Sequence, residues 1–200
     1  DDGLGLMPWA VLLEAALQPC GWLALATGLP LKTAEGLYFR NLDGEATVFR
    51  NLRPGPNRLI TSVTLTDVST SGGISLVSFA VSCRDDRGEV LRLTTSFGFF
   101  PAAALARQVG LPTEPADALM FEEASKAEAF GLAAMRGTET ALPGGRLALL
   151  TRVKALWPDG GLAKLGSAVG EHDVDPGAWF FKAHFFQDPV QPGSLGIHML

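Results

Sequence analysis

Near its end the chain reads H-F-F-Q-D-P-V-Q-P-G-S-L-G, residues 184 to 196. An isolated histidine is ordinarily a core residue satisfied by a backbone carbonyl, but His184 is followed by a stiff reversal. Pro189 and Pro192 fix φ, and Gly193 allows close backbone approach. A helix starting near Pro192 or Gly193 presents unpaired N–H groups and a partial positive charge. A titratable base and an anion-stabilising helix start are thus held nine residues apart. That arrangement suits removal of a proton beside a carbonyl, the N–H groups steadying the enolate as it forms.

Glu14 is the second residue out of place, a charge inside a long apolar segment. Such charges are rarely buried unless paired or functional. Gln18, four residues on, shares its helix face. Either this face meets solvent at one edge, or the apolar setting favours the neutral carboxyl, the form that donates a proton. A base and a proton donor flanking one site describe loss of water from a β-hydroxyacyl compound, or the reverse addition. Other polar residues point elsewhere. His172 is expected to face solvent, His198 lies too near the end to assign, and Asp188 is expected to cap the turn. Ser194 lacks the G-x-S-x-G frame of a nucleophile elbow, and no glycine-rich phosphate motif is present.

These residues need elements to hold them. Residues 8 to 28 favour a helix that opens on Pro8, is kinked by Pro19 and stops at Gly28 and Pro30. It is apolar nearly all round, so it is expected to be enclosed on most sides. Strands follow. G-L-Y-F-R-N-L and E-A-T-V-F-R-N-L read as a hairpin turning at Asp43-Gly44. Leu59, Thr61, Val63 and Leu65 share one face, as do Val77, Phe79, Val81 and Cys83, and Leu91, Leu93, Thr95, Phe97 and Phe99, with D-D-R-G-E as a turn. Period-two alternation of this kind marks an antiparallel sheet packed on one side, here around the helix. Further on, P-A-A-A-L-A-R-Q-V-G reads as a short helix, the region to L-P-G-G as helix or connector, and two strands turn at P-D-G-G. Three segments follow from the residues: 1–112, a linker at 113–145, and 146–200.

Composition narrows the classes. At 200 residues, 47% hydrophobic, the chain is long enough for a real core, and 18% charge argues against disorder. A net charge of −5 gives no basic surface for nucleic acid. Cys20 and Cys83 form no metal-ligand cluster, so no metal is expected; buried free thiols in a reducing cytosol suit them better than a disulfide. Glu14, Gln18 and Pro19 interrupt the apolar N-terminal stretch, which argues against a membrane span, and it lacks the flanks of a signal peptide. The chain reads as a piece cut from something longer. One faint echo links its two ends: M-P-W-A-V-L-L-E-A at 7–15 lines up with Q-P-G-S-L-G-I-H-M at 191–199, setting Glu14 against His198.

W-F-F-K-A-H-F-F-Q-D-P-V-Q-P-G-S-L-G resembles the active-site segment of the β-hydroxydecanoyl-ACP dehydratase family. M-P-W-A-V-L-L-E-A-A-L-Q-P-C-G-W-L-A with F-R-N-L-D-G is similar to the companion segment in dehydratase domains of polyunsaturated fatty acid synthases and iterative polyketide synthases. T-S-F-G-F-F and A-R-Q-V-G-L extend the likeness over most of the chain. The resemblance implies an α+β double hot-dog, each half a sheet wrapped round one long helix, here truncated at both ends. It implies a site spanning the halves, with His184 as base, Glu14 as acid, Gln18 supporting Glu14, and the Gly193 N–H polarising a thioester carbonyl. The first half has no matching histidine, and the second has His198 where the family places its acid, so both departures fall on one pseudo-site. No resident cofactor is implied, because phosphopantetheine arrives on an acyl carrier protein. That acidic partner calls for a basic rim, with Arg40, Arg50, Arg53 and Lys182 as candidates. Other synthase domains, a homodimer and a cytoplasmic setting complete the expectation, with no nucleic acid or membrane. Against the dehydratase stand a non-catalytic hot-dog module that shapes or holds a synthase, and a thioesterase on the same fold, which the helix-start motif disfavours.

Overall fold

The computed structural model describes residues 5–32, 36–53, 55, 58–110, 112–126, 130–131, 144–161, 163–185 and 187–199. The chain divides into two units, Gly5–Gln108 and Val109–Leu200. The division precedes the expected linker, and part of that linker is helical. Residues 127–129 and 132–143 of it lie outside the described residues.

The first unit begins with α1 (Trp9–Ala26), then a short 3-10 turn at Leu29–Lys32. Four antiparallel strands follow: β1 (Leu37–Val48), β2 (Ile60–Ser71), β3 (Ile74–Asp85) and β4 (Gly88–Pro101), in spatial order β1-β4-β3-β2. A four-residue helix, α2 (Ala102–Leu105), closes the unit. The alternation read from the sequence holds. Val77, Phe79, Val81, Cys83, Leu91, Leu93, Phe97 and Phe99 are buried together with Leu12, Leu13, Ala16, Cys20 and Ala24 of α1. This packing of one long helix on an antiparallel sheet is the hot-dog arrangement.

Small residues on the inward face of α1 let the helix lie close to a sheet lined with aromatic rings. A Cβ placed on Gly21 would meet the Phe39 ring at 3.6 Å. Phe39 stacks on Phe97 at 4.8 Å, and Phe79 meets Phe97 edge-on at 5.9 Å. Dispersion across such contacts is individually small and collectively large. The helix is not enclosed, contrary to expectation: Val11, Trp22 and Leu25 are exposed, Trp22 by 72%. By length and composition Trp9–Leu31 could cross a bilayer, a test that core helices also pass.

Two turns differ from the sequence reading. Asp43-Gly44 is not a hairpin; β1 runs straight through it. Register slips between Asn41 and Asp43, so one residue bulges out of the ladder. The Asn41 amide donates to Thr95 Oγ at 2.8 Å, and that hydroxyl donates to the Asp43 carbonyl at 2.7 Å. Those bonds satisfy the bulged backbone, so no reversal is needed. The tight hairpin lies at Gly72-Gly73, between β2 and β3, where both residues take positive φ (58° and 80°). Glycine populates that region without steric cost. D-D-R-G-E does turn, joining β3 to β4.

The second unit contains α3 (Pro115–Lys126), β5 (Phe130–Gly131), β6 (Arg152–Trp157), β7 (Ser167–Glu171), α4 (Trp179–Ala183) and α5 (Gly193–His198). Its strands form an antiparallel sheet ordered β5-β6-β7, against which α3 packs. Arg152 ties β6 to the end of β7, donating to Glu171 at 2.6 Å and to Asp173 at 2.7 and 2.8 Å.

Burial and charge each yield a stability test. Phe79→Ala removes a ring that is 1% exposed, so the chain should lose about 3–5 kcal/mol in denaturant unfolding; a loss below about 1 kcal/mol would mean that the ring is not packed as described. Asp85, buried at the β3–β4 turn, pairs with Arg50 and accepts from the Arg87 N–H at 2.8 Å. Burial alone would raise its carboxyl pKa, but the Arg87 N–H and the Arg50 guanidinium outweigh it and hold the pKa below the ordinary value of 3.8. A depressed folded pKa gives stability that is present above the unfolded value and lost as pH falls through the folded one. Asp85→Asn should therefore lower Tm at neutral pH, with the gap to the parent closing below about pH 4. A gap that stays constant through that range would contradict the pairing.

Candidate active site

His184 caps α4. Its backbone N–H donates to the Phe180 carbonyl at 2.8 Å, and Phe180 is buried, which anchors the turn. Beyond it, Phe185 and Gln187 take left-handed φ of 56° and 57°. Such values cost energy for residues with a Cβ and persist only where the surroundings enforce them. The reversal they make brings the Val190 carbonyl to 2.7 Å from His184 Nδ1. A carbonyl can only accept, so Nδ1 carries the proton of the neutral ring and Nε2 carries the lone pair. The base is thereby aimed by its own loop, and Val190 is the contributor that sequence reading missed. The signal lay in the loop itself: two prolines and a glycine hold a fixed shape, and one of its carbonyls must face the ring it encloses.

Gly193 opens α5 and is exposed. Its N–H, at the first helical position, has no intrahelical acceptor. Pro192, just before it, is extended (φ −57°, ψ 130°), and its carbonyl accepts from Leu195 and Gly196 at 3.1 and 3.4 Å. Pro8 before α1 repeats this: φ −57°, ψ 140°, with its carbonyl accepting from Val11 and Leu12 at 3.0 and 3.2 Å. The faint echo between the chain's ends is thus a shared way of starting a helix without a side-chain cap.

Glu14 is half-buried on α1, and the Gln18 amide donates to its Oε1 at 2.7 Å. Gln18 lies on the same open side of the helix as Val11, Trp22 and Leu25. The structure therefore joins Glu14 to Gln18 within the first unit, and His184 to the loop that ends at Gly193 within the second. A shallow hollow on the outer face of the first sheet, lined by Thr66, Ser78, Ser96, Asp43 and Glu45, contains none of these four residues.

Three expectations change. His172 does not face solvent; it is half-buried, its Nδ1 against the Leu149 carbonyl and its Nε2 buried without a partner among the described residues. Arg50 does not serve a basic rim, because its guanidinium is committed to buried Asp85. Arg40 donates to the Phe39 carbonyl at 2.8 Å and lies over the Tyr38 ring, whereas Arg53 and Lys182 are exposed. Cys20 and Cys83 are free and fully buried, as expected. Burial first, then the neighbouring Cys83, pushes the Cys20 thiol up to about 12, which leaves it inert.

Comparisons with known proteins bear on both units. The FabA-like domain profile matches residues 142–200, the stretch that holds His184 and Gly193. A polyunsaturated fatty acid synthase polypeptide from a Thraustochytrium species is 30% identical over 215 aligned residues, covering 98% of this chain. The chain spans only 14% of the length of that relative. A crystal structure of the ChsH1–ChsH2 complex from Mycobacterium tuberculosis overlaps 33% of this chain and 42% of its own at 21% identity and a TM-score of 0.29, a likeness too slight to bear on the fold. Residues 142–200 thus belong to the FabA-like family, and the chain that carries them is a domain of the hot-dog dehydratase type.

Proposed function

We propose that the chain dehydrates β-hydroxyacyl thioesters on an acyl carrier protein to enoyl thioesters, within a fatty acid or polyketide synthase. The observation that carries this reading is the bond from His184 Nδ1 to the Val190 carbonyl, which leaves Nε2 as a base next to a helix start. Nε2 takes the proton from C2 of the acyl chain. The electron pair moves toward the thioester carbonyl, whose oxygen is held by the Gly193 N–H as charge develops. The enolate then re-forms its carbonyl, C2 and C3 gain the double bond, and the C3 hydroxyl leaves as water with a proton from Glu14. Gln18 orients the Glu14 carboxyl through their hydrogen bond. The same steps in reverse hydrate an enoyl thioester.

The base and the acid belong to different units, so this chemistry needs Glu14 and His184 to face one shared cavity. A homodimer is one assembly that could supply such a cavity. No resident cofactor is required, since phosphopantetheine comes with the carrier protein. Arg53 and Lys182, with Arg40, are the residues to contact that acidic partner, and other synthase domains in the cytoplasm would supply and consume the acyl chain.

Incubation with a β-hydroxyacyl thioester, followed by detection of the enoyl product, tests the reading. His184→Ala and Glu14→Gln should each lower kcat by about 10²–10⁴-fold; unchanged turnover in either removes that residue from the mechanism. No turnover in the parent chain would favour the non-catalytic module instead. The tautomer has its own check. Imidazole ¹⁵N shifts of neutral His184 should report a protonated Nδ1 and a bare Nε2, and the opposite pattern would take away its role as base.

A further inference from the structure

Pro19 lies in the interior of α1. A proline there supplies no N–H to the carbonyl four residues back and crowds it. That carbonyl belongs to Ala15, and a backbone oxygen left without a donor inside a protein is costly. The missing donor comes from the sheet: Thr61 Oγ of β2 donates to Ala15 O at 3.3 Å. Thr61 is itself held in place. It is the register partner of Cys83 on β3, and its hydroxyl lies 3.4 Å from the Cys83 sulfur. A path of polar contacts therefore runs from β3 through β2 into the backbone of α1, arriving at the residue next to Glu14.

Everything else that holds α1 to the sheet among the described residues is apolar contact, which is non-directional. Such contact fixes a helix near a sheet but only loosely sets its rotation and height. A hydrogen bond to one named carbonyl sets both. We propose that Thr61 is a positioning residue for Glu14, with Pro19 as the feature that makes the Ala15 carbonyl available to it. The proline is then a device rather than a defect: it opens the helical ladder one turn beyond Glu14, so that the sheet can grip the helix where the carboxyl departs. This rests on the assignment of Glu14 as the acid.

The test separates positioning from mere stability by pairing Thr61→Val with Pro19→Ala. Thr61→Val leaves the Ala15 carbonyl without its donor, so Tm should fall, and kcat should drop about ten- to a hundredfold with KM within about twofold. Thr61→Ser keeps the hydroxyl and should retain both Tm and kcat. In the double variant the alanine N–H at position 19 satisfies Ala15 within the helix. Stability should return, whereas kcat should stay low because the tie to the sheet is still missing. Recovery of kcat along with Tm would make Thr61 a structural residue only and overturn the proposal. The ¹³C resonance of the Glu14 carboxyl, which senses its bond with Gln18, should shift in Thr61→Val and in the double variant but not in Thr61→Ser. An unmoved resonance in Thr61→Val overturns the proposal as well. If the parent chain turns over no thioester, the dehydratase reading fails, and the carboxyl resonance still decides for or against Thr61.

Discussion

The first unit depends on burying one face of α1 against the sheet. That face is built from Leu12, Leu13, Ala16, Cys20 and Ala24, and the small residues among them let the helix approach the ring-lined surface of Phe39, Phe79, Phe97 and Phe99. A helix of larger residues would stand further off and leave gaps that dispersion could not bridge. The same choice has a second consequence. With its small face turned inward, the helix presents Val11, Gln18, Trp22 and Leu25 outward, and Glu14 sits at the border between the two faces. The position of the carboxyl is thus an outcome of core packing. Moving it around the helix would unpack the sheet.

Periodicity made most of that unit legible. Alternation along β2, β3 and β4 put the right residues inside because a half-buried strand has a period that no loop imitates. The failures were failures of turn chemistry. Asp43-Gly44 is a strong hairpin signal in isolation, but Asn41 and Thr95 offered side-chain bonds that stabilise a bulge in a continuing strand. Gly72-Gly73 passed unnoticed, although two consecutive positive φ values are what a tight hairpin demands. The openness of α1 was missed for a different reason: composition reports how apolar a helix is, not how much protein surrounds it. In the second unit the two strands and the start of α5 were legible, whereas the burial of His172 was not, since it depends on the Leu149 carbonyl arriving from outside the local sequence.

Of the candidate site, the histidine half was the more readable. His184, two prolines and Gly193 act over a short loop, so their geometry is local and the sequence nearly dictates it. Even so, the decisive partner is the backbone oxygen of Val190, a group every residue carries and no residue type announces. The carboxyl half depends on contacts made across the whole first unit. Gln18 could be inferred from helical spacing, but what holds the helix at that height could not, because Thr61 is 46 residues away from Ala15.

The two proline-led helices differ in what they carry. Pro8 and Pro192 share backbone angles and the same pair of accepted N–H bonds, so the two helices begin in the same way. Six residues on, one carries Glu14 and the other His198. Just ahead of the second proline stands the loop that aims His184, and M-P-W at the first has no counterpart to it. Each helix start therefore supplies what the other lacks: a carboxyl with its amide in one unit, an imidazole and an open backbone N–H in the other. Proton abstraction and proton donation need both sets, and neither unit holds a complete one. A chain in which each unit had kept its own acid and its own base would have no need to join them. The asymmetry itself is the reason to expect that a working centre, if this chain makes one, is shared.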